Sequence, residues 1–156
     1  MKIINFIDTS VLLNILNVPG CNQDREVIVI KMKSKTEEGE RFILPLATII
    51  ETGNHIAHIA DESMRRKCAK KFADMLQMVL EDKFPWAYNK REIGDSELRA
   101  MINRFPDYVQ QYEMGLGDLS MLDEYARYKK RNKKRLDVRI WSLDERLQAF
   151  SGIDCV

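Results

Sequence analysis

Apolar positions recur along this chain with a period that changes from place to place. Residues 2–7, KIINFI, are apolar at almost every position and rich in β-branched side chains. Such a run fits a strand covered on both faces, as in a parallel sheet. SVLLNIL then reads as a short helix, and Pro19-Gly20 breaks the chain after it. Residues 23–38 mix apolar and charged positions and predict a second helix, ended by Gly39. RFILP is a short strand stopped by Pro45. ATIIETGNHIAHIA sets Ile49, Ile56 and Ile59 or Ala60 at helical spacing, and residues 61–81 continue as helix, either the same one or a separate one. Between 84 and 114 the chain is punctuated by Pro85, Gly94 and Pro106, with SELRAMINRF helical between them. GLGDLSMLDEYARYKKR restarts with a cap and a helix. DVRIWSL reads as a strand, DERLQAF as a short helix and IDCV as a last strand.

Strands and helices in that alternation build an α/β sandwich around a mainly parallel central sheet flanked by helices. No internal repeat, linker or low-complexity tract interrupts the chain. Its 156 residues suit one domain, 1–156, with a proper core. Composition changes little: 45% hydrophobic and 31% charged residues are ordinary for a globular protein, and a net charge of +1 points to no partner. The cysteines, Cys21, Cys68 and Cys155, are odd in number and form no CxxC pair. That argues against a disulfide framework or a cysteine-type zinc site and for a reducing, cytoplasmic setting. The start, MKIINFID, lacks the long apolar region of a signal peptide, and FILPLATII is too short to span a membrane, so no membrane partner is expected.

Four acids change the picture. In open parallel sheets, ligands bind beyond the carboxyl ends of the strands. Asp8 ends the first strand in FIDTS, and Asp144 ends a later one in IWSLDERL. Asp118 opens a helix after the glycine-flexed loop of GLGDLSML, and Glu51 lies one turn into the helix that follows RFILP. All four fall at one edge of the expected sheet. Carboxylates that share a pocket repel, and their pKa values are pushed up and apart. A hard divalent cation removes the conflict. Mg²⁺ or Mn²⁺ takes oxygen ligands, bridges carboxylates to phosphate oxygens, activates a water and stabilises a leaving oxygen. No serine, cysteine or histidine nucleophile is then required.

On these residues the chain resembles the PIN domain, the nuclease fold of VapC-type toxins. The resemblance rests on an acid after the first strand in FIDTSVLL, a glutamate on the following helix in TIIE, and a third acid after a glycine in GLGDLSML. A fourth acid stands in WSLDERL. It covers nearly the whole chain. Trp141-Ser142 stands where the family more often has a small residue and a threonine, and the region 61–114 is longer than in the smallest toxins. The resemblance implies a PIN-like three-layer sandwich and carries catalytic and metal-ligating roles onto Asp8, Glu51, Asp118 and Asp144, with Ser10 supporting the first acid. It implies a metal-dependent endoribonuclease whose products carry a 5′-phosphate and a 3′-hydroxyl. It further implies a homodimer and, for a toxin, a cognate antitoxin.

Each acid also has a plainer reading. Asp8, Thr9 and Ser10 can cap SVLLNIL, Asp118 and Asp144 can cap the helices after them, and Glu51 can be a solvated residue. Asp123, five residues beyond Asp118, is a possible extra ligand and is better read as a solvated helix residue. A rival zinc site would use Glu51, His55 and His58 along one helix stripe, but EtgnHiaH is not the HExxH spacing of metalloproteases. FIDTS can also be compared with phosphatases that use a DxD nucleophile motif, except that position 10 is serine.

Residues 127–139, RYKKRNKKRLDVR, hold eight basic residues against one acid. Lys129, Lys130, Arg131, Lys133, Lys134 and Arg135 suit a nucleic-acid backbone near a site for metal and phosphate. The plainer reading is compensation of a helix dipole. A second basic cluster, MRRKCAKK (64–71), reads as a solvated helix face. The family resemblance tips the substrate to RNA. A catalytically weak RNA- or protein-binding module is the alternative.

Overall fold

The computed structural model describes residues 1–90 and 94–151. The expected strand IDCV lies outside the described residues. Three strands form one all-parallel sheet in the order β2-β1-β3: β1 (Lys2–Ile7), β2 (Arg41–Ile43) and β3 (Leu136–Trp141). Seven helices are described: α1 (Thr9–Ile15), α2 (Arg25–Glu37), α3 (Leu46–Ala57), α4 (Glu62–Leu80), α5 (Asp95–Tyr112), α6 (Leu116–Asn132) and α7 (Glu145–Gln148). None of them is long and apolar enough to cross a membrane.

Alternation along β1 sends Ile7 to one face and Ile4 and Phe6 to the other. Ile7, Phe42 and Trp141 pack with apolar side chains of α1, α2, α3 and α4. Ile4, Phe6, Ile43, Val138 and Ile140 pack against Met121, Leu122 and Tyr125 of α6 and Leu147 of α7. The Phe6 and Tyr125 rings meet edge to face, 5.8 Å apart at an interplanar angle of 83°. Covering both faces explains why β1 is apolar at almost every position, and its one buried polar side chain, Asn5, is satisfied by donating to Glu40 Oε2 at 2.7 Å. It also leaves the ends of the strands as the place where polar groups can gather.

Of the two readings open for residues 61–81, the structure has the separate helix: Asp61 caps α4 by accepting the Met64 N–H at 2.7 Å. One element differs from the expectation. The helix around SELRAMINRF runs on through Pro106 to Tyr112. Proline removes one N–H and leaves the Ile102 carbonyl without its helical donor. Ile102 and Pro106 lie on the exposed side of α5, so the lost bond falls where the helix faces solvent and not in the core.

Candidate metal centre

β1 delivers Asp8 to the carboxyl edge of the sheet, and the Asp8 N–H donates to the carbonyl of Trp141, the last residue of β3, at 3.0 Å. Asp8 is buried, yet its carboxylate makes no helix-capping bond. Instead the hydroxyls of Ser10 and Ser142 both donate to its Oδ2, each at 2.8 Å. The same hydroxyls accept the N–H groups of Leu143 (3.0 Å) and Asp144 (2.9 Å), so both hydroxyl protons are directed at Asp8. Among the described residues Oδ1 of Asp8 accepts no bond.

Glu51 reaches the same edge from α3. Thr48 fixes the start of that helix by donating to the Ile7 carbonyl at 2.8 Å, and the buried Glu124 of α6 accepts the Leu46 N–H at 3.2 Å. One and a half turns on, Glu51 is half-buried and accepts the Thr9 hydroxyl on Oε2 at 3.0 Å. Its carboxylate is engaged by Thr9 rather than left wholly to solvent. His55 and His58 are exposed, and the His58 Nδ1 lies 2.7 Å from the Asn54 carbonyl, so the zinc stripe does not assemble.

Asp118 sits in the first turn of α6, whose N-cap is Gly115. It is a turn too late to be a cap, and the helix N-terminus favours its charge. Its carboxyl is nevertheless pushed up to about 6 from 3.8, first by burial and then by the negative charges of Asp8, Glu51 and Asp144, in that order. This is the direct sign that all four acids share one field.

Asp144 is held differently. It caps α7 by accepting the Arg146 N–H at 2.9 Å, and the Arg146 guanidinium donates to both of its oxygens, at 3.1 and 2.8 Å. Those hydrogen bonds keep its carboxyl below the usual range. Arg146 also donates to the carbonyls of Tyr112 and Glu113, each at 3.1 Å, which ties Asp144 to the end of α5. The expected cap and the expected member of the acid group are thus the same residue, with an arginine already paired to it.

Hard oxygen donors of this kind fit Mg²⁺ or Mn²⁺. Among the described residues, however, no three His, Cys, Asp or Glu side chains lie close enough together to hold a metal ion as they stand. Three of the four carboxylates lean on a protein donor: Asp8 on serines, Glu51 on threonine and Asp144 on arginine.

Two expectations are corrected by placement. The basic run does not flank the acids. α6 carries Asp118 at one end and Lys129, Lys130 and Arg131 in its last turn, and 14 residues of helix separate Asp118 from Asn132, about 20 Å. Lys133, Lys134 and Arg135 are exposed beside the start of β3, at the opposite edge of the sheet. Asp123 is buried rather than solvated, and it accepts Arg127 Nε at 2.9 Å.

Ser142 and Arg146 do not stand out as site residues in the sequence. A hydroxyl two residues before Asp144 mirrors the hydroxyl two residues after Asp8, and that symmetry is the signal that could have found Ser142. Ser142→Ala removes a fully buried donor to Asp8 and the acceptor of the Asp144 N–H. It is expected to cost about 1–3 kcal/mol of stability by urea unfolding and about 10–100-fold in Mn²⁺ affinity by calorimetry.

No protein-family model matches the chain, and no curated protein is similar to it in sequence. The fold and the site therefore define a class by geometry alone: an α/β chain with a parallel sheet and an acidic, oxygen-lined centre at its carboxyl edge.

Proposed function

We infer that the chain is a divalent-metal-dependent endoribonuclease with a PIN-like three-layer fold. The observation that carries this reading is the placement of the acids at the carboxyl edge of the sheet: Asp8 ends β1 with Ser10 and Ser142 on its Oδ2, and Glu51 takes the Thr9 hydroxyl and comes against Gly117, the neighbour of Asp118. A Mg²⁺ or Mn²⁺ ion held there supplies the Lewis acidity that activates water and offsets charge on a phosphodiester. Ser10 and Ser142 fix Asp8, and Thr9 fixes Glu51. Asp118 has no hydrogen-bond partner among the described residues and is the acid freest to engage a cation. Asp144 stands at the rim, where Arg146 can pass from its carboxylate to a substrate phosphate. RNA as substrate, 5′-phosphate and 3′-hydroxyl products, a homodimer and a cognate antitoxin follow from the motif resemblance.

Cleavage of a labelled RNA pool with Mn²⁺ or Mg²⁺, with EDTA, and beside Asp8→Asn tests the reading. Cleavage that requires the cation and Asp8 supports it. Equal behaviour of wild type and mutant overturns it.

A second reading, an RNA- or protein-binding module, is favoured by one observation: the basic run stands at the far edge of the sheet, away from the acids. Replacing Lys133, Lys134 and Arg135 together by alanine is expected to weaken RNA binding. The slope of log affinity against log salt should fall by about 0.7 for each single-strand phosphate that is no longer neutralised. Fluorescence anisotropy over a salt series measures it. Affinity that vanishes in this variant and never responds to metal would put the binding module first.

A further inference from the structure

Gly117 occupies the first turn of α6, between Leu116 and Asp118. Its φ is not in the left-handed region, so the backbone does not call for glycine there. Glycine is also among the poorest helix formers. The reason for it lies across the site. A Cβ at position 117 would fall 1.9 Å from Glu51 Oε1 and 3.0 Å from Glu51 Cδ. At Gly20, Gly39 and Gly115 a Cβ would meet open space, and at Gly53 the nearest atom would be 4.0 Å away. The Glu51 carboxylate is therefore held at Oε2 by the Thr9 hydroxyl, while Oε1 lies in the space that a side chain at 117 would fill.

We propose that Gly117 is a positioning residue for Glu51, its missing side chain being the seat that keeps this carboxylate with Asp8 and Asp118 for a divalent cation. The inference rests on the metal-centre reading above. The crowding atom is the far end of a flexible side chain, so an added methyl group has no need to disturb the helix. It turns Glu51 out of the acid group instead. Stability and cation binding then separate: the helix gains from alanine while the centre loses a ligand.

The test is Mn²⁺ affinity, measured by electron paramagnetic resonance on wild type, Gly117→Ala, Glu51→Asp and the double variant, with melting in EDTA alongside. Gly117→Ala is expected to melt at or above the wild-type temperature and to bind Mn²⁺ about tenfold or more weakly. Glu51→Asp alone weakens binding, because the shorter acid falls back from the centre. In the Gly117→Ala background the same change strengthens binding, because a side chain one methylene shorter clears the new methyl group. That reversal of sign is a coupling which separate structural effects of the two changes do not produce. Equal Mn²⁺ affinity in wild type and Gly117→Ala, or the same loss from Glu51→Asp in both backgrounds, overturns the proposal. So does a Gly117→Ala chain that melts well below wild type, since the close approach would then serve packing. A wild-type chain that binds no Mn²⁺ overturns the metal-centre reading and this inference with it.

Discussion

Asp8→Asn is expected to lower metal-dependent RNA cleavage by about a thousandfold or more while the melting temperature holds. A bound divalent ion supplies several kcal/mol of transition-state stabilisation, and each 1.36 kcal/mol is about a factor of ten in rate. Asp8 is oriented by two serine hydroxyls, and its charge is what a cation would use. The fold, by contrast, should tolerate the amide. Both serine hydroxyls donate to the same oxygen, Oδ2. An asparagine carbonyl placed there accepts both bonds, and the NH₂ group takes the position of Oδ1, which accepts nothing among the described residues. Loss of the charge also relieves Asp118. Asp8→Ala behaves differently, because it strands two hydroxyls, one of them fully buried, at a cost of about 1–3 kcal/mol. Single-turnover cleavage beside circular-dichroism melts of both variants separates the two effects. An Asp8→Asn chain that stays folded and cleaves at the wild-type rate removes Asp8 from the reaction.

Much of this edge is legible in the sequence, because the change of period at Asp8 is local. β1 is largely apolar on both faces and α1 resumes at helical spacing, so the handover between them has to place Asp8 at a strand end. The rule that parallel sheets bind ligands at their carboxyl ends then brings Asp118 and Asp144 to the same place. What stays hidden depends on direction and distance. Whether Asp8 bonds forward to its own helix or across to Ser142 is decided by the pairing of β1 with β3, which no local pattern reports. The basic run follows Asp118 closely in sequence, but the length of α6 puts its two ends at opposite edges of the sheet. Asp123 is polar yet faces the protein, because Arg127 and α5 cover that side of α6 through Glu97. Pro106 reads as a breaker in any window, and only the exposed position of its turn explains why α5 continues.

Asp118→Asn should make the metal-free protein more stable at neutral pH and less able to gain from Mn²⁺. Asp118 is an acid whose carboxyl is raised to about 6 in the fold, against 3.8 ordinarily. Between those values the folded chain keeps a proton that the unfolded chain has lost. Stability therefore falls as pH rises from 3.8 through about 6, and the loss is complete above that. The group is about half exposed, so solvent screening reduces the effect to on the order of 1 kcal/mol. For a chain of this size that is a melting difference of about 2–4 °C. In EDTA the mutant should melt above wild type at pH 8, and the gap should close as pH falls toward 4. Mn²⁺ reverses the order at pH 8. A cation at about a hundred times its dissociation constant adds about 2.7 kcal/mol to a chain that binds it, and wild type gains this in full while the mutant does not. The acid that weakens the empty fold is then the acid that a cation uses. If Mn²⁺ raises both melting temperatures equally, Asp118 holds no metal, and its raised carboxyl reflects burial and crowding alone.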